Sequence, residues 1–441
     1  MARPRKNAPK PNTQELSLVP VEEQPYPLPE GWKWVRLGDI TQIVGGGTPS
    51  SKVKEYYEGG DIPWLSPVDL SDYTDIYISH GKKMITAEGL ANSSARMMPA
   101  ETVCLSSRAP IGYVAIAKNP LCTNQGFKSF LPSPLYLPRF LYWYLKGNKP
   151  LLESYASGTT FLELSGSKVA QIEFPLPPLD EQERIVTRIE SLFAKLDEAK
   201  EKAESVLDSY ETRKAAILHK AFTGELTAKW RGERGIEKES WKSCILLSVL
   251  KEKPRNGYSP KPVEYETNVK SMTLSATTSG FFRPEFFKYI DEEIPEDSHL
   301  WLKYGDILIQ RANSLEKVGT SAIYTGGNHE FIYPDLIMKL QVKEGYDTSF
   351  IANLLKTQEV LSYFRANATG TAGNMPKINQ QTVSNTPITV PTLPEQQEIT
   401  RILDSLLEKE QQSKEAAETV LEQIDLMKKA ILAKAFRGEL G

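Results

Sequence analysis

Apolar residues recur at alternating spacings of four and three along two long stretches of this chain, residues 179–226 and 393–440. An apolar repeat of 3.5 residues keeps one stripe of an α-helix facing a partner helix as the two supercoil. Gly224 and Gly438 stand where a helix C-terminus is expected. The pattern therefore predicts two long coiled-coil helices. Their predicted seams contain Ile185, Ile189, Leu192, Leu196, Val206 and Ile217 in the first helix and Ile399, Leu403, Leu406, Val420, Ile424 and Ile431 in the second.

The two stretches are copies of one another, because they align without a gap at an offset of 214 residues and about half of the aligned positions are identical. About 40 helical residues make a rod of about 60 Å, which cannot bury its seam alone. Each helix could pack on its own domain, or the two copies could pair with each other. Equal register favours an antiparallel pair with pseudo-twofold symmetry. Arg213, Glu410 and Ser413 interrupt the seams.

The rest of the chain has the short, mixed pattern of α/β domains. β-type runs at 34–37, 103–105 and 113–117 lie between turn clusters, and 136–146 has a helical pattern. The predicted fold is therefore α/β, with two mixed α/β domains separated by the two long antiparallel helices. The predicted divisions are a disordered tail at 1–26, a first domain at 27–178, a first helix at 179–226, a charged linker and second domain at 227–392, and a second helix at 393–441.

Charge and composition narrow the function. The formal net charge of the 441 residues is −3, which does not suit a protein that binds nucleic acid with its whole surface. Any DNA contact must come from local basic clusters. No apolar run approaches the roughly 18 residues needed to cross a bilayer, and the N-terminus lacks an apolar signal core, so we expect no membrane partner and a cytoplasmic protein.

The sequence lacks the catalytic and metal-binding motifs that would indicate an enzyme. The four histidines and three cysteines share no metal-ligand spacing, so no metal site is predicted. The segment 45–52, GGGTPSSK, lacks the spacing of a phosphate-binding loop and is interpreted as a turn. Pro334-Asp335 has no Glu-x-Lys downstream, and no Asn-Pro-Pro-aromatic motif for amino methylation occurs. The residues predict a non-catalytic binding and scaffolding protein.

Candidate DNA contacts occur at matching places in the two domains. Segment 305–314, GDILIQRANS, aligns with 101–110, ETVCLSSRAP, and in each a predicted strand is followed by polar residues. Arg can pair bidentately with guanine, and Gln or Asn with adenine, while basic and aromatic residues suit phosphate. For Arg311 the alternative is a structural ion pair with Asp306 or Glu316. The candidate set is Ser106, Ser107, Arg108, Gln125, Thr159, Thr160, Lys253, Arg255, Tyr258, Gln310, Arg311, Asn313, Asn374 and Lys377.

Several of these pieces resemble one family. LPEGWKWVRLGDI, GGGTPS, IPWLSPVDL, SSRAPIGYVAI, TNQGFKSF, KAFTGEL and GDILIQRAN, together with the duplicated helix, are similar to the specificity subunit of Type I restriction–modification systems.

The resemblance implies two target-recognition domains on double-stranded DNA, each reading one half of a bipartite, asymmetric site, and a helix pair that sets the spacer. It also implies that two methylation subunits dock on this chain and use S-adenosylmethionine. Two restriction subunits would add translocation and cleavage with ATP and Mg²⁺. No cofactor is expected in this chain itself. The alternatives are a fused DNA-modifying enzyme and a coiled-coil adaptor that does not bind DNA.

Overall fold

The computed structural model describes residues 16–108, 110–158, 162–370 and 375–440. The chain divides into two compact units. The first unit comprises the residues up to Lys202 and those from Thr419 onward, and the second unit is Ala203–Glu418. The division therefore falls inside both long helices, α6 (Leu179–Phe222) and α11 (Leu393–Phe436), which are each 44 residues long. The predicted helices are confirmed, and half of each belongs to each unit.

The first unit contains a mixed α/β domain. Its strands are β1 Lys33–Arg36, β2 Ile43–Gly45, β3 Ile62–Leu65, β4 Tyr77–Ile78, β5 Lys83–Ile85, β6 Val103–Ser107, β7 Ile111–Ala117, β8 Cys122–Thr123, β9 Phe127–Phe130 and β10 Glu173–Leu176. They form sheets ordered β2-β9-β6-β7-β4, β5-β3-β8 and β1-β10. Its short helices are α1 Leu37–Ile40, α2 Ala87–Ala91, α3 Pro138–Gly147, α4 Lys149–Ser154 and α5 Gly166–Ala170.

The second unit repeats this plan. Its strands are β11 Lys242–Ile245, β12 Arg255–Asn256, β13 Pro262–Val263, β14 Val269–Met272, β15 Phe287–Ile290, β16 Ile307–Gln310, β17 Ser321–Ile323, β18 Phe331–Ile332, β19 Ile337–Leu340 and β20 Pro387–Val390. The sheets are ordered β12-β19-β16-β17, β13-β15-β14-β18 and β11-β20. The helices are α7 Ala228–Gly232, α8 Thr348–Leu354, α9 Gln358–Ala366 and α10 Gln380–Ser384. As in the first unit, one sheet has a central strand paired antiparallel on one side and parallel on the other.

The long helices run antiparallel within each unit. In the first unit Lys428 donates to Asp197 at 2.5 Å and Arg184 donates to the Leu440 carbonyl at 3.1 Å. In the second unit Arg213 donates to Glu410 at 2.7 Å. Arg213 and Glu410 are two of the residues that interrupt the predicted seams, and each compensates the other.

The apolar seam is buried most deeply toward the ends of the helices. Ile185 and Ile189 are fully buried in the core of the first domain, and Ile399 and Leu403 in the core of the second. Both predicted packing modes therefore occur, because the seam contacts its own domain as well as the other helix. Val420 departs from the prediction. It is 37% exposed in the structure.

Two glutamines at equivalent repeat positions join α6 and α11 to their domains. Gln182 accepts a hydrogen bond from the Leu137 amide at 2.8 Å and donates to the Pro177 carbonyl at 2.9 Å. Gln396, 214 residues later, accepts from the Asp347 amide at 2.9 Å and donates to the Pro391 carbonyl at 2.8 Å. Both side chains are buried, so these bonds fix each domain against the start of a long helix.

The segment 227–240 is not the open linker that its charged composition predicts. Arg231 and Glu395 are buried and form an ion pair at 2.6 Å. Glu395 also accepts from the Thr227 hydroxyl at 2.8 Å and from the Trp241 indole at 3.0 Å. The Arg231 guanidinium donates to the Gly224 carbonyl at 2.8 Å. The network ties the chain that follows α6 to the first turn of α11.

The predicted disordered tail is too long. Residues 1–15 lie outside the described residues, but 16–26 are part of the first unit. Val19 is buried, and the Tyr26 hydroxyl donates to the Phe436 carbonyl at 3.0 Å. Burial raises the pKa of Tyr26 to about 12. The polar, proline-rich composition of this stretch indicates disorder, although a few of its residues pack against the first unit.

We expect Glu395→Gln to lower the free energy of unfolding by about 3 kcal/mol, because it leaves the buried Arg231 cation without a carboxylate. The equivalent residue of the first repeat, Glu181, pairs with Arg184 at the surface, so Glu181→Gln should cost at most about 1 kcal/mol. Urea unfolding of the full chain, followed by tryptophan fluorescence, measures both. Equal losses of unfolding free energy in the two variants would show that the buried pair contributes no more to stability than the surface pair.

Candidate nucleic-acid interface

The ends of strands β6 and β16 occupy equivalent positions in the two domains. Arg108 forms an isolated β-bridge with Glu163, and Ala312 forms one with Lys377. The Leu164 amide donates to the Ser107 carbonyl at 2.9 Å, and the Ile378 amide donates to the Arg311 carbonyl at 2.8 Å. The predicted alignment of 101–110 with 305–314 is therefore confirmed by the structure. In each domain the strand end lies beside a second segment, which includes Glu163 in the first domain and Lys377 in the second.

The two serines of the first strand end are internal. Ser106 and Ser107 are fully buried. The Ser106 hydroxyl donates to the Pro110 carbonyl at 2.7 Å and accepts from the Tyr113 amide at 2.8 Å, while the Ser107 hydroxyl donates to the Gly126 carbonyl at 3.1 Å. This placement does not fit the prediction that they contact DNA. They hold the turn that presents the next residue, Arg108.

Two cations share one carboxylate at this strand end. Arg108 lies 3.5 Å from Glu163, and Lys128 of β9 lies 3.9 Å from the same side chain. Burial lowers the pKa of Lys128, and Glu163 partly opposes that change. The cluster therefore carries an excess of positive charge. Lys128 was missed by the sequence analysis, since only its pairing in the sheet brings it beside Arg108.

The glycine-rich segment 45–52 lies beside a second candidate residue. Gln125 is exposed and accepts a hydrogen bond from the Thr48 hydroxyl. A Cβ atom at Gly46 would lie 2.0 Å from the Asn124 carbonyl oxygen, so only glycine lets this loop approach the adjoining chain so closely. The turn predicted here is thus also a neighbour of Gln125. Thr159 and Thr160 lie outside the described residues.

The second strand end also mixes buried and accessible side chains. Gln310 is fully buried, and its amide donates to the Leu274 carbonyl at 2.8 Å and to the Thr277 hydroxyl at 2.9 Å. Its side-chain oxygen accepts from Asn313 at 2.6 Å. Gln310 therefore does not fit the prediction of a base contact. Half-buried Asn313 is held in position by Gln310.

Arg311 lies at the rim of the second domain and is half-buried. Its Nη1 atom donates to the Asp335 carbonyl at 3.4 Å, and its Nε atom is buried without a hydrogen-bond partner among the described residues. The predicted alternative, an ion pair with Asp306 or Glu316, is not found among the described residues, and Asp306 is instead buried beside Lys339 at 3.7 Å. The guanidinium thus retains donors for a ligand.

The remaining candidates of the second domain lie at the surface. Lys253, Arg255, Tyr258 and Lys377 are exposed. Arg255 pairs with Glu252 at 2.7 Å, and the Tyr258 hydroxyl donates to Glu292 at 3.2 Å, which raises the pKa of Tyr258. Asn374 lies outside the described residues. These side chains can contact phosphate, but Arg255 and Tyr258 must first give up their carboxylate partners.

The second domain also carries an acidic cavity, which includes Glu292, the partner of Tyr258. A cavity of about 790 Å³ is lined by Glu266, Asp291, Glu292 and Glu293, and the Tyr265 hydroxyl donates to Asp291. Such a surface repels a phosphate backbone. DNA contact is therefore favoured at the strand-end loops of this domain and disfavoured at the acidic cavity.

Metal-binding clusters and membrane-spanning helices are absent from the described part of the chain. It contains no group of three or more His, Cys, Asp or Glu side chains that could hold a metal ion. It also contains no helix with the length and apolar character that crossing a membrane requires. What it offers is two sets of polar and cationic loops on rigid strand ends.

Comparisons with known proteins identify relatives over most of the chain. The specificity subunit of the Type I restriction enzyme MjaIX from Methanocaldococcus jannaschii is 44% identical over 183 residues, which cover 41% of this chain and 42% of that relative. The specificity subunit of EcoKI from Escherichia coli is 24% identical over 427 residues, covering 94% of this chain and 90% of that relative.

Solved structures share the fold. The crystal structure of an HsdS subunit from Thermoanaerobacter tengcongensis has a TM-score of 0.65 at 19% identity and covers 95% of this chain and 99% of that chain. A chain from a study of assembly of the type I R-M system has a TM-score of 0.69 at 20% identity, with coverage of 94% and 100%. The family model described as the Type I restriction modification DNA specificity domain matches residues 29–207 and 252–423. Because these matches include both α/β domains and well over half of the chain, the protein belongs to this family.

Proposed function

We propose that this chain is the subunit that gives a Type I restriction–modification complex its DNA sequence specificity. Each α/β domain reads one half of a bipartite, asymmetric site. The observation that carries the proposal is the pair of equivalent strand ends, which share their backbone hydrogen bonds but present different side chains. Common scaffolding with different loops is what two different half-sites require.

The proposal also assigns partners. Two methylation subunits dock on the helix pair, use S-adenosylmethionine and modify adenine, while two restriction subunits use ATP and Mg²⁺ for translocation and cleavage in the cytoplasm. This chain supplies no catalytic group. The acidic outer faces of the helices suit contact with protein better than contact with DNA, so we place DNA at the loops.

The decisive experiment is sequencing for methylated adenine in cells that carry this chain and its methylation partner. We expect one bipartite motif that disappears when this chain is deleted. Methyl transfer by the purified chain alone would instead support a fused enzyme. An assembled complex that shows no sequence-specific footprint on DNA would support an adaptor.

Arg311→Ala should weaken binding of the complex to its cognate site by about 1–3 kcal/mol if the guanidinium pairs with a base. The loss should be smaller on random DNA, and the slope of affinity against salt should stay unchanged. A phosphate contact would weaken binding to all sequences and lower the slope by about one. Fluorescence anisotropy over a salt series measures both quantities. Arg283→Ala is the control, since Arg283 is an exposed arginine of the same domain that already pairs with Glu285 at 2.7 Å.

Exchanging residues 231–392 for the corresponding segment of a relative should change one half-site and leave the other intact. The two domains have separate hydrophobic cores, so each can fold around its own sequence. Methylated-adenine sequencing of the chimera reads both half-sites at once. A change in both would contradict independent reading.

Inserting one heptad after Glu204 and one after Glu418 should lengthen the spacer and preserve both half-sites. Seven residues keep the apolar seams in register and add about 10 Å to each helix. The insertions lie where both helices pass from one unit to the other. Inserting a heptad in α6 alone is the control, because it shifts the antiparallel register and should reduce assembly. An unchanged spacer in the double insertion would refute the ruler role.

A further inference from the structure

A polar cleft in the second unit brings two lysines together. Lys214 of α6 and Lys356, which follows α8, line a cavity of about 250 Å³ together with Thr278, Ser279 and Gly280. The same two lysines line an adjoining cavity of about 480 Å³. Neither cavity includes any of the predicted DNA contacts. The cleft is thus lined by other residues than the interface described above, although the buried Gln310 amide donates to the Thr278 hydroxyl of the cleft at 3.0 Å.

The first unit shows how a lysine at the repeat position of Lys214 is neutralised. Lys428 corresponds to Lys214 at the offset of 214 residues, and it pairs with Asp197. The residue that corresponds to Asp197 in the second unit is Gln411, which carries no charge. The structure describes no hydrogen bond or ion pair for the Lys214 ammonium. The second unit has kept the cation and lost its carboxylate.

Lys356 is half-buried, and its ammonium forms no ion pair among the described residues. The ring of Phe281 lies 5.1 Å from its ammonium, and this is the contact that the structure describes for the charge. Burial and the neighbouring Lys214 lower the pKa of Lys356 to about 8, while Asp404 opposes the change. Two cations are thus held near each other in a partly desolvated cleft, an arrangement that costs stability unless an anion is bound.

Hydroxyl and amide groups complete the smaller cavity. Ser321 is 1% exposed, and its hydroxyl has no hydrogen-bond partner among the described residues. Gly280 has φ +80°, and a Cβ there would meet only the Ser321 carbonyl, at 3.9 Å. Thr320 and Gln358 lie on the same wall. A buried hydroxyl without a described partner and two lysines that line the same cavity make a donor set that suits a tetrahedral oxyanion.

The carboxylates of the cleft locate the ligand within it. Glu211 is the single carboxylate of the smaller cavity, whereas Asp404, Glu408 and Glu415 line the larger one along α11. The smaller cavity thus has a net positive lining, and the larger has a net negative lining. An anion is favoured at the lysine and hydroxyl side only.

We propose that the cleft lined by Lys214, Lys356 and Ser321 binds a phosphate group. The group comes either from a DNA backbone or from a free phosphate compound, and the chemistry of recognition is the same for both. This proposal does not depend on the assignment of half-sites to the two domains.

The test uses the full chain and inorganic phosphate. Thermal unfolding is compared in phosphate and in chloride at equal ionic strength. Phosphate also stabilises proteins non-specifically, so the control is Lys146→Met, which removes an exposed lysine in the last turn of α3 in the first unit. We expect the phosphate-dependent rise in Tm to persist in Lys146→Met and to fall to the non-specific level in Lys214→Met and Lys356→Met. An equal rise in all four proteins would overturn the proposal.

A pH series provides a second readout, and its sign follows from the lowered pKa of Lys356. Without phosphate, the unfolded chain binds more protons than the folded one between about pH 8 and 10, so stability should rise with pH relative to Lys356→Met. Bound phosphate should remove this rise by restoring the ordinary pKa. Glu211 and Lys214 on α6 and Asp404 on α11 face the same cleft, so Lys356→Met is the reference that cancels their titration.

The source of the phosphate is decided with duplex DNA. If DNA supplies it, Lys356→Met should lower the slope of DNA affinity against salt by about one, and inorganic phosphate should compete with DNA. If a free compound supplies it, DNA affinity should stay unchanged while phosphate protection is lost. Wild-type and Lys356→Met proteins that agree in phosphate protection, pH dependence and DNA affinity would refute the site.

Discussion

Neither long helix can bury its apolar stripe without the other, and the rest of the structure depends on that pairing. Each helix is 44 residues long, is polar on its outer faces and crosses from one unit to the other. The apolar stripe is deepest where α6 and α11 enter a domain core, at Ile185 and Ile189 in one unit and at Ile399 and Leu403 in the other. Pairing the helices therefore also builds the cores on which the domains rest.

The duplication fixes the backbone of this arrangement but leaves the side chains free to diverge. Gln182 and Gln396 make the same bonds in both copies. Glu181 and Glu395 do not, because the first is paired at the surface and the second is buried with Arg231. Lys428 pairs with Asp197 on the other helix, whereas the structure describes no ion pair for Lys214. The copies therefore share their backbone and some of its anchoring bonds, while their ion pairs differ from one copy to the other.

Sequence periodicity predicted the parts of the fold whose burial repeats along the chain. The starts of both long helices agree with the prediction, and their ends lie within a few residues of it. Periodicity failed where burial depends on distant partners. Val420 has the seam spacing, yet it is 37% exposed, and residues 16–26 look like a tail but pack on the end of α11. A short strand contains too few residues for its apolar period to show which side chains face the core.

The sequence predicted where the candidate interface lies but not which residues belong to it, for the same physical reason. Polar residues after a buried strand indicate a loop that a rigid sheet presents. Whether a given side chain points outward depends on neighbouring strands that the local sequence does not specify. Gln310 and Ser107 satisfy buried backbone carbonyls, whereas Lys128, three strands away in the sequence, joins the cationic cluster through the β6–β9 pairing.

Electrostatics then limits what these loops can do within a chain of net charge −3. The exposed cations of the strand-end loops are few, and Arg108 and Arg255 already have carboxylate partners. Such a surface gains little from counterion release when it acts alone. When a DNA phosphate or base replaces the carboxylate partner of such a cation, an existing ion pair is broken. The free energy lost with that pair offsets part of the free energy gained from the DNA contact. Under the function proposed above, tight binding requires partner subunits that add cations around the same DNA, and Arg311 with its neighbours would supply discrimination. We therefore expect this chain to bind DNA weakly on its own, as a physical consequence of its charge distribution.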